Sequence, residues 1–344
     1  MTLTDYIETE AELEEQLSEP TDGVTAVMGR LEGDLMFLGA GGKMGPTLAR
    51  MAKRGSEAAG KDRRIIAVSR FTNRAAAEAL ERHGVETVAC DLLEEAALER
   101  LPCTPNVVFM TGMKFGSAEE PSTTWAMNAY LPGVAARHFA ESRIAAFSTG
   151  NVYPLTPVSK GGSVETDDLY PVGEYGMSCL GRERVFTYAS RKRNTPTSII
   201  RLNYACECRY GVLTDIAHKV WNGDPVDVTM GYANVIWQSD ANAMALQTLD
   251  HTAVPPFVIN TTGKEILSVR SLAERFGEAL GKPAVITGEE APDALLSNPD
   301  RAYAELGPPK VSLDTMIRWI AHWVKLGGET LGKPTHFEVR SGQF

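Results

Sequence analysis

Asp34-Leu35-Met36-Phe37-Leu38-Gly39-Ala40-Gly41-Gly42-Lys43-Met44-Gly45 is the stretch on which the reading of the whole chain turns. An apolar run enters glycine directly, as a buried strand does. Glycines 39, 42 and 45 then form G-x-x-G-x-x-G, and a helical stretch follows through Arg54. Each glycine has a backbone reason. The first permits a tight turn, the second lets the main chain approach a pyrophosphate, and the third lets helix and strand pack closely. The helix N-terminus then faces the phosphates with its partial positive charge. Gly39, Gly42, Lys43, Met44 and Gly45 are therefore expected to cradle a dinucleotide.

Outward from this loop the chain alternates. Strands are predicted at 64–68 (RIIAV), 86–90, 106–110 (NVVFM) and 144–148, with helices at 75–83, 94–101 and 123–142 between them. A long helix at 175–193, a strand at 198–204 (SIIRLNY) and another at 257–260 (FVIN) continue the pattern. Helical periodicity returns at 268–280 and 313–326. Such alternation predicts an α/β fold with a Rossmann-type doubly wound parallel sheet and a smaller, interleaved C-terminal substrate domain. The expected division is an acidic helical extension over 1–32, a nucleotide-binding domain over 33–205 plus about 235–262, and a substrate domain over 206–234 and 263–344. Within the extension, Thr9–Leu17 is dense in good helix formers and reads as a solvated helix packed on the domain edge.

Composition narrows the function. The 344 residues carry 34 basic and 44 acidic side chains, net −10, which disfavours nucleic acid and anionic membrane as partners. No apolar stretch reaches a membrane span, and the acidic N-terminus lacks the charged start and apolar run of a signal peptide, so a cytoplasmic location is expected. The five cysteines fit neither a disulfide framework nor a zinc ribbon, and no metal site is expected.

The end of the second strand bears on which dinucleotide binds. An acidic residue there would hold the ribose 2′-hydroxyl; this chain has Ser69-Arg70, with Arg74 nearby. A hydroxyl and a guanidinium suit a 2′-phosphate, so NADP(H) is favoured and NAD(H) remains possible. Asp91-Leu92, after the third strand, sits where an adenine contact is expected; Asp91 as a helix cap is the competing reading.

Taken together these segments resemble the extended short-chain dehydrogenase/reductases, in particular the NAD(P)-dependent sugar and nucleotide-sugar epimerases and dehydratases. The resemblance runs over most of the chain from about residue 33. Val107–Lys114 resembles the segment lining the nicotinamide side, with Thr111, Gly112 and Lys114 in it. Asn128 falls where the family keeps an asparagine. Ser148-Thr149-Gly150-Asn151-Val152-Tyr153-Pro154 resembles S-[ST]-x-x-V-Y-G, and Ile199–Arg201 and Trp237–Asp240 look like later landmarks.

The resemblance implies hydride transfer at a carbinol carbon of a small sugar-type substrate. Tyr175 matches the acid/base tyrosine, which also meets the cofactor. Thr149, beside Ser148, matches the orienting hydroxyl. A lysine four residues after the tyrosine would lower the phenol's pKa, but Cys179 stands there. A neutral thiol does not do this. Lys114 and Arg182 are candidate replacements, and Cys179 as a thiolate nucleophile is a third idea. Gly150-Asn151 replace the acid pair of the dehydratases, which points to epimerisation or oxidation/reduction. Arg209, Trp237 and Arg301 are candidate substrate contacts. The competing function is an NADP(H)-binding sensor or scaffold that lost its chemistry. The family's dimers use the helices matching 123–142 and 175–193, so a homodimer is implied.

Overall fold

The computed structural model describes residues 3–343. The chain opens with α1 (Glu10–Leu17) and α2 (Asp22–Arg30). Thr9 and Glu12 close a reciprocal capping box on α1, satisfying two of its free N–H groups. Then come β1 (Leu35–Leu38), α3 (Gly45–Ala58), β2 (Ile65–Ser69), α4 (Arg74–Arg82), β3 (Glu86–Ala89), α5 (Glu95–Leu98) and β4 (Asn106–Phe109). The helix expected at 123–142 is three pieces: α6 (Pro121–Trp125), a π-helical turn (Ala126–Tyr130) and α7 (Leu131–His138). β5 (Arg143–Thr149), α8 (Gly173–Arg193) and β6 (Thr197–Leu202) follow, then α9 (Val212–Asn222), α10 (Gln238–Gln247), β7 (Phe257–Thr261), α11 (Val269–Leu280), α12 (Asp300–Leu306) and α13 (Leu313–Lys325).

The seven strands form one sheet in the order β7-β6-β5-β4-β1-β2-β3, every pair parallel. This is the Rossmann-like arrangement expected from the alternation. Because side chains alternate along a strand, each strand feeds two cores. Leu35 and Phe37 pack with α2, α3 and α10, whereas Met36 and Leu38 pack with α7 and α8. A third core gathers α9, α11 and α13 with Ile7, Leu13 and Leu17 from the N-terminal extension. The extension is thus less solvated than expected: α1 exposes its acidic face but buries Leu13 and Leu17 completely. Among the described residues no helix is long and apolar enough to cross a membrane.

Strand order reverses between β1 and β4, and crevices at such points take ligands at the carboxyl ends of the strands. The glycine loop after β1, the segment after β4 and the end of β5 all meet there.

Candidate active site

A cleft of about 650 Å³ opens at this point. Its floor is Gly39, Gly41, Gly42, Lys43 and Met44 from the glycine loop, with Gly112 and Lys114 after β4. Ser148 and Thr149 come from β5, and Tyr175 and Arg182 from α8.

At three of its glycines the loop leaves no room for a side chain. Gly39 has φ +92°, and a Cβ on it would lie 2.6 Å from Thr111 Oγ1. On Gly41 it would lie 2.4 Å from Ser69 Oγ, and on Gly45 2.2 Å from the Ala40 carbonyl oxygen. At Gly42 it would meet only the Gly39 carbonyl oxygen, at 3.6 Å. The loop backbone is therefore bare on that side, and α3 begins behind it without a side-chain cap. A pyrophosphate fits this cradle, with free helix N–H groups to receive it.

Tyr175 and Thr149 are joined through their hydroxyl groups, and the Tyr175 phenol also bonds the Cys179 side chain. Burial drives the Tyr175 pKa well above its usual value, and Cys179 adds to this; Arg182 and the Thr149 bond pull the other way. Cys179 is fully buried, and burial raises its thiol pKa. A buried thiol held neutral is a poor nucleophile, which weighs against the thiolate idea. Ser148 also lines the cleft, but its hydroxyl donates to Glu183 Oε1 at 2.6 Å. Glu183 is in turn paired with Arg201 at 2.8 Å in the core. Tyr153 is equally committed, donating to Asn260 Oδ1 at 2.8 Å.

Lys114 reaches the cleft, where its ammonium lies 6.0 Å from the Tyr175 ring centroid. It donates to the Thr335 carbonyl oxygen at 3.1 Å, and burial lowers its pKa to about 8. Lys43 rises from the loop between Tyr210 and Phe115, 3.2 Å and 4.5 Å from their ring centroids. Burial first, then Lys114 and Lys333, bring its pKa down to about 7.

The remaining candidates, Arg209 excepted, stand apart from the cleft lining. The Thr111 hydroxyl donates to the Leu38 carbonyl, bracing the loop from below. Asn128 is fully buried and bonds both ways with the Met113 backbone. Ser69 lies beside Gly41 at the end of β2, and Arg70 is exposed beyond it, while Arg74 is drawn to Glu78 and Glu81 of its own helix. Asp91 accepts the Leu93 N–H at 3.1 Å, as a cap does, and Leu92 is buried among the core residues. Trp237 packs on Trp319 at a tilt of 58° in the third core, and Arg301 lies over the Phe257 ring, both away from the cleft. Arg209 does line it, but with its charge held by Glu14 and Glu207.

Several lining residues carried no motif. Glu14 comes from α1, and Leu331, Lys333 and Thr335 come from the C-terminal segment. That segment is pinned across the cleft, with Thr335 N–H donating to Asp215 at 2.7 Å and Leu331 N–H to the Arg209 carbonyl at 3.0 Å. Nothing local in the sequence marks residues whose role depends on chain ends meeting.

Residues 36–206 match the model of the NAD dependent epimerase/dehydratase family. No curated protein matches the chain. Among solved structures, it is similar to a UDP-glucose 4-epimerase with UDP-glucose from Thermotoga maritima, at 17% identity and TM-score 0.70 over 85% of this chain and 98% of that one. A dTDP-glucose 4,6-dehydratase from Streptomyces venezuelae with NAD bound gives 18% and 0.73 over 85% and 97%. A UDP-glucuronic acid 4-epimerase from Bacillus cereus, in complex with UDP-glucuronic acid and NAD, gives 15% and 0.71 over 85% and 99%. These similarities establish the shared fold.

Proposed function

We propose, from the premise that residues 36–206 belong to the NAD dependent epimerase/dehydratase family, that the protein is an NAD(P)-dependent enzyme acting on a carbinol of a sugar, sugar acid or nucleotide-sugar. The observation that carries this is the bonded pair Tyr175–Thr149 opening onto a cleft floored by the bare glycine loop. Gly39, Gly41, Gly42 and the start of α3 would hold the dinucleotide phosphates. Bound there, the nicotinamide supplies hydride acceptance and return. Thr149 Oγ1 orients the substrate hydroxyl, and Tyr175 Oη takes or gives its proton.

Lys43, Lys114 and Lys333 around the cleft support a substrate bearing a carboxylate or phosphate. Gly150-Asn151, without an acid pair, supports epimerisation or oxidation/reduction. Ser69 and the exposed Arg70 support NADP(H); structural neighbours bind NAD. The separate cores support a nucleotide-binding domain (33–205 and 235–262) and a substrate domain (206–234 and 263–344), with 1–32 attached to both, Val235 and Trp237 crossing into the substrate core and Ala302 into the sheet core. A cytoplasmic homodimer is the setting we infer. The alternative of a silent cofactor sensor is favoured by Cys179 alone.

The test begins with the nucleotide released on denaturing purified protein, identified by mass, followed by a sugar and sugar-acid panel with NADP+ and NAD+. The expected result is turnover with one substrate, which Tyr175→Phe abolishes while NADPH binding persists. Turnover retained in that variant would remove Tyr175 from the mechanism. Nucleotide binding without hydride exchange on any substrate would favour the sensor.

A further inference from the structure

We propose that Arg182 replaces the missing lysine as the fixed positive charge that makes Tyr175 ionisable, a positioning residue acting through Tyr175. This rests on the reading of Tyr175 as acid/base, and four features of the fold carry it.

The first is helical register. Tyr175, Cys179 and Arg182 follow one another at four and three residues along α8, so they share one face. Arg182 lies one turn beyond the position of the absent lysine, and its longer side chain reaches back toward the cleft, which it lines.

The second is a seat made for a guanidinium. Arg182 is buried, yet its three hydrogen bonds all go to acceptors without charge. Nη1 donates to the Phe147 carbonyl at 2.8 Å, Nη2 to Asn128 Oδ1 at 2.7 Å, and Nε to the Asn128 carbonyl at 3.3 Å. That carbonyl is available because Pro132, four residues on, has no N–H to offer it. The π-helical turn at Ala126–Tyr130 thus presents both Asn128 oxygens to one side chain. Gly112 makes the opening, since a Cβ there would lie 2.7 Å from Nη2.

Charge is the third. Among the described residues Arg182 pairs with no carboxylate, whereas Arg201, also buried in this region, is paired with Glu183. An uncompensated buried cation favours a nearby anion strongly, and the Tyr175 phenolate is such an anion. The fourth is the state of the competing group. Lys114 is engaged by Thr335 and sits 6.0 Å from the Tyr175 ring centroid, and burial makes its charge less secure. No proton passes through Arg182; it travels between the substrate hydroxyl and Tyr175 Oη. The guanidinium has N–H groups beyond the three in use, and Arg182 lines the cleft.

The test moves the cation. Four proteins are compared, wild type, Arg182→Met, Arg182→Lys and the double variant Cys179→Lys/Arg182→Met, for thermal stability, NADPH affinity and the pH profile of kcat on the panel substrate. Arg182→Met is expected to lose about 100-fold or more in kcat at pH 7. Its profile should shift toward alkaline pH, with NADPH binding weakened severalfold. Arg182→Lys should recover part of this. The double variant, which restores the lysine spacing, should regain at least about tenfold over Arg182→Met. Wild-type kcat and profile in Arg182→Met would overturn the proposal. So would a folded, NADPH-binding double variant no better than Arg182→Met. If Arg182→Met fails to fold, Arg182→Gln, neutral but able to donate to the Phe147 and Asn128 oxygens, replaces it in both the single and the double variant, with the same outcomes deciding. An active Tyr175→Phe would instead overturn the reading on which this one rests.

Discussion

Lys43 is placed in the loop so that a phosphate bound beside it would be coupled to a proton. Burial, with Lys114 and Lys333 beside it, holds its pKa near 7 against a usual 10.5. A cofactor phosphate alongside would favour the charged form and draw that value back up. Binding then takes up a proton, so NADPH affinity should fall as pH rises above about 7, by up to about tenfold per pH unit. Fluorescence titrations at several pH values check this, and Lys43→Gln should flatten the slope. A wild-type affinity that is level from pH 7 to 9 would detach Lys43 from the phosphates. For the free protein the sign is opposite in effect. Between about 7 and 10.5 the unfolded chain binds the extra proton, so stability contributed at Lys43 rises with pH through that window. At this scale the sequence was informative about Gly39, Gly45, Thr149 and Tyr175, because their spacing is local. It was silent about Tyr210, Phe115 and Lys333, which reach Lys43 only through folding.

Among elements, α1 and α2 depart most from expectation. The acidic residues of Glu10–Leu17 are visible in sequence, and they dominate its reading. The two leucines that matter, Leu13 and Leu17, are outnumbered there yet fully buried against Cys206, Val212 and α13. Glu14, from the same turn, holds Arg209 at the cleft. Leu17→Ala should therefore cost about 2–5 kcal/mol, read from urea unfolding, with little direct effect on chemistry. A loss under about 0.5 kcal/mol would return α1 to the status of an appendage. The helix expected at 123–142 was foreseen as continuous because its apolar period runs through. Pro132 and the π-turn at Asn128 interrupt it, and that interruption is what receives Arg182. The strands were easier: β1, β2 and β4 are short apolar runs buried on both faces, a signal that needs no tertiary context.

For the whole molecule, the open question is what covers α6–α8. Trp125 and Tyr130 on one side, and Met177 and Tyr188 on α8, are all 39–66% exposed. Large apolar side chains grouped on neighbouring helices mark a contact surface. Light scattering should give twice the monomer mass, and Tyr188→Arg should reduce it to the monomer without lowering the thermal midpoint by more than about 4 °C. A wild-type monomer at micromolar concentration would exclude the dimer.

The chain's own order determined the parallel sheet, the glycine loop at its switch point and the placing of Thr149 and Tyr175 beside it, since periodicity and motif spacing are properties of neighbours along the chain. Only the tertiary structure decided that Lys114 and Arg182 share a cleft with Tyr175, and that Glu14 and the 331–335 segment wall it. Those contacts join residues from Glu14 to Thr335, and burial and charge pairing exist only once such distant segments pack.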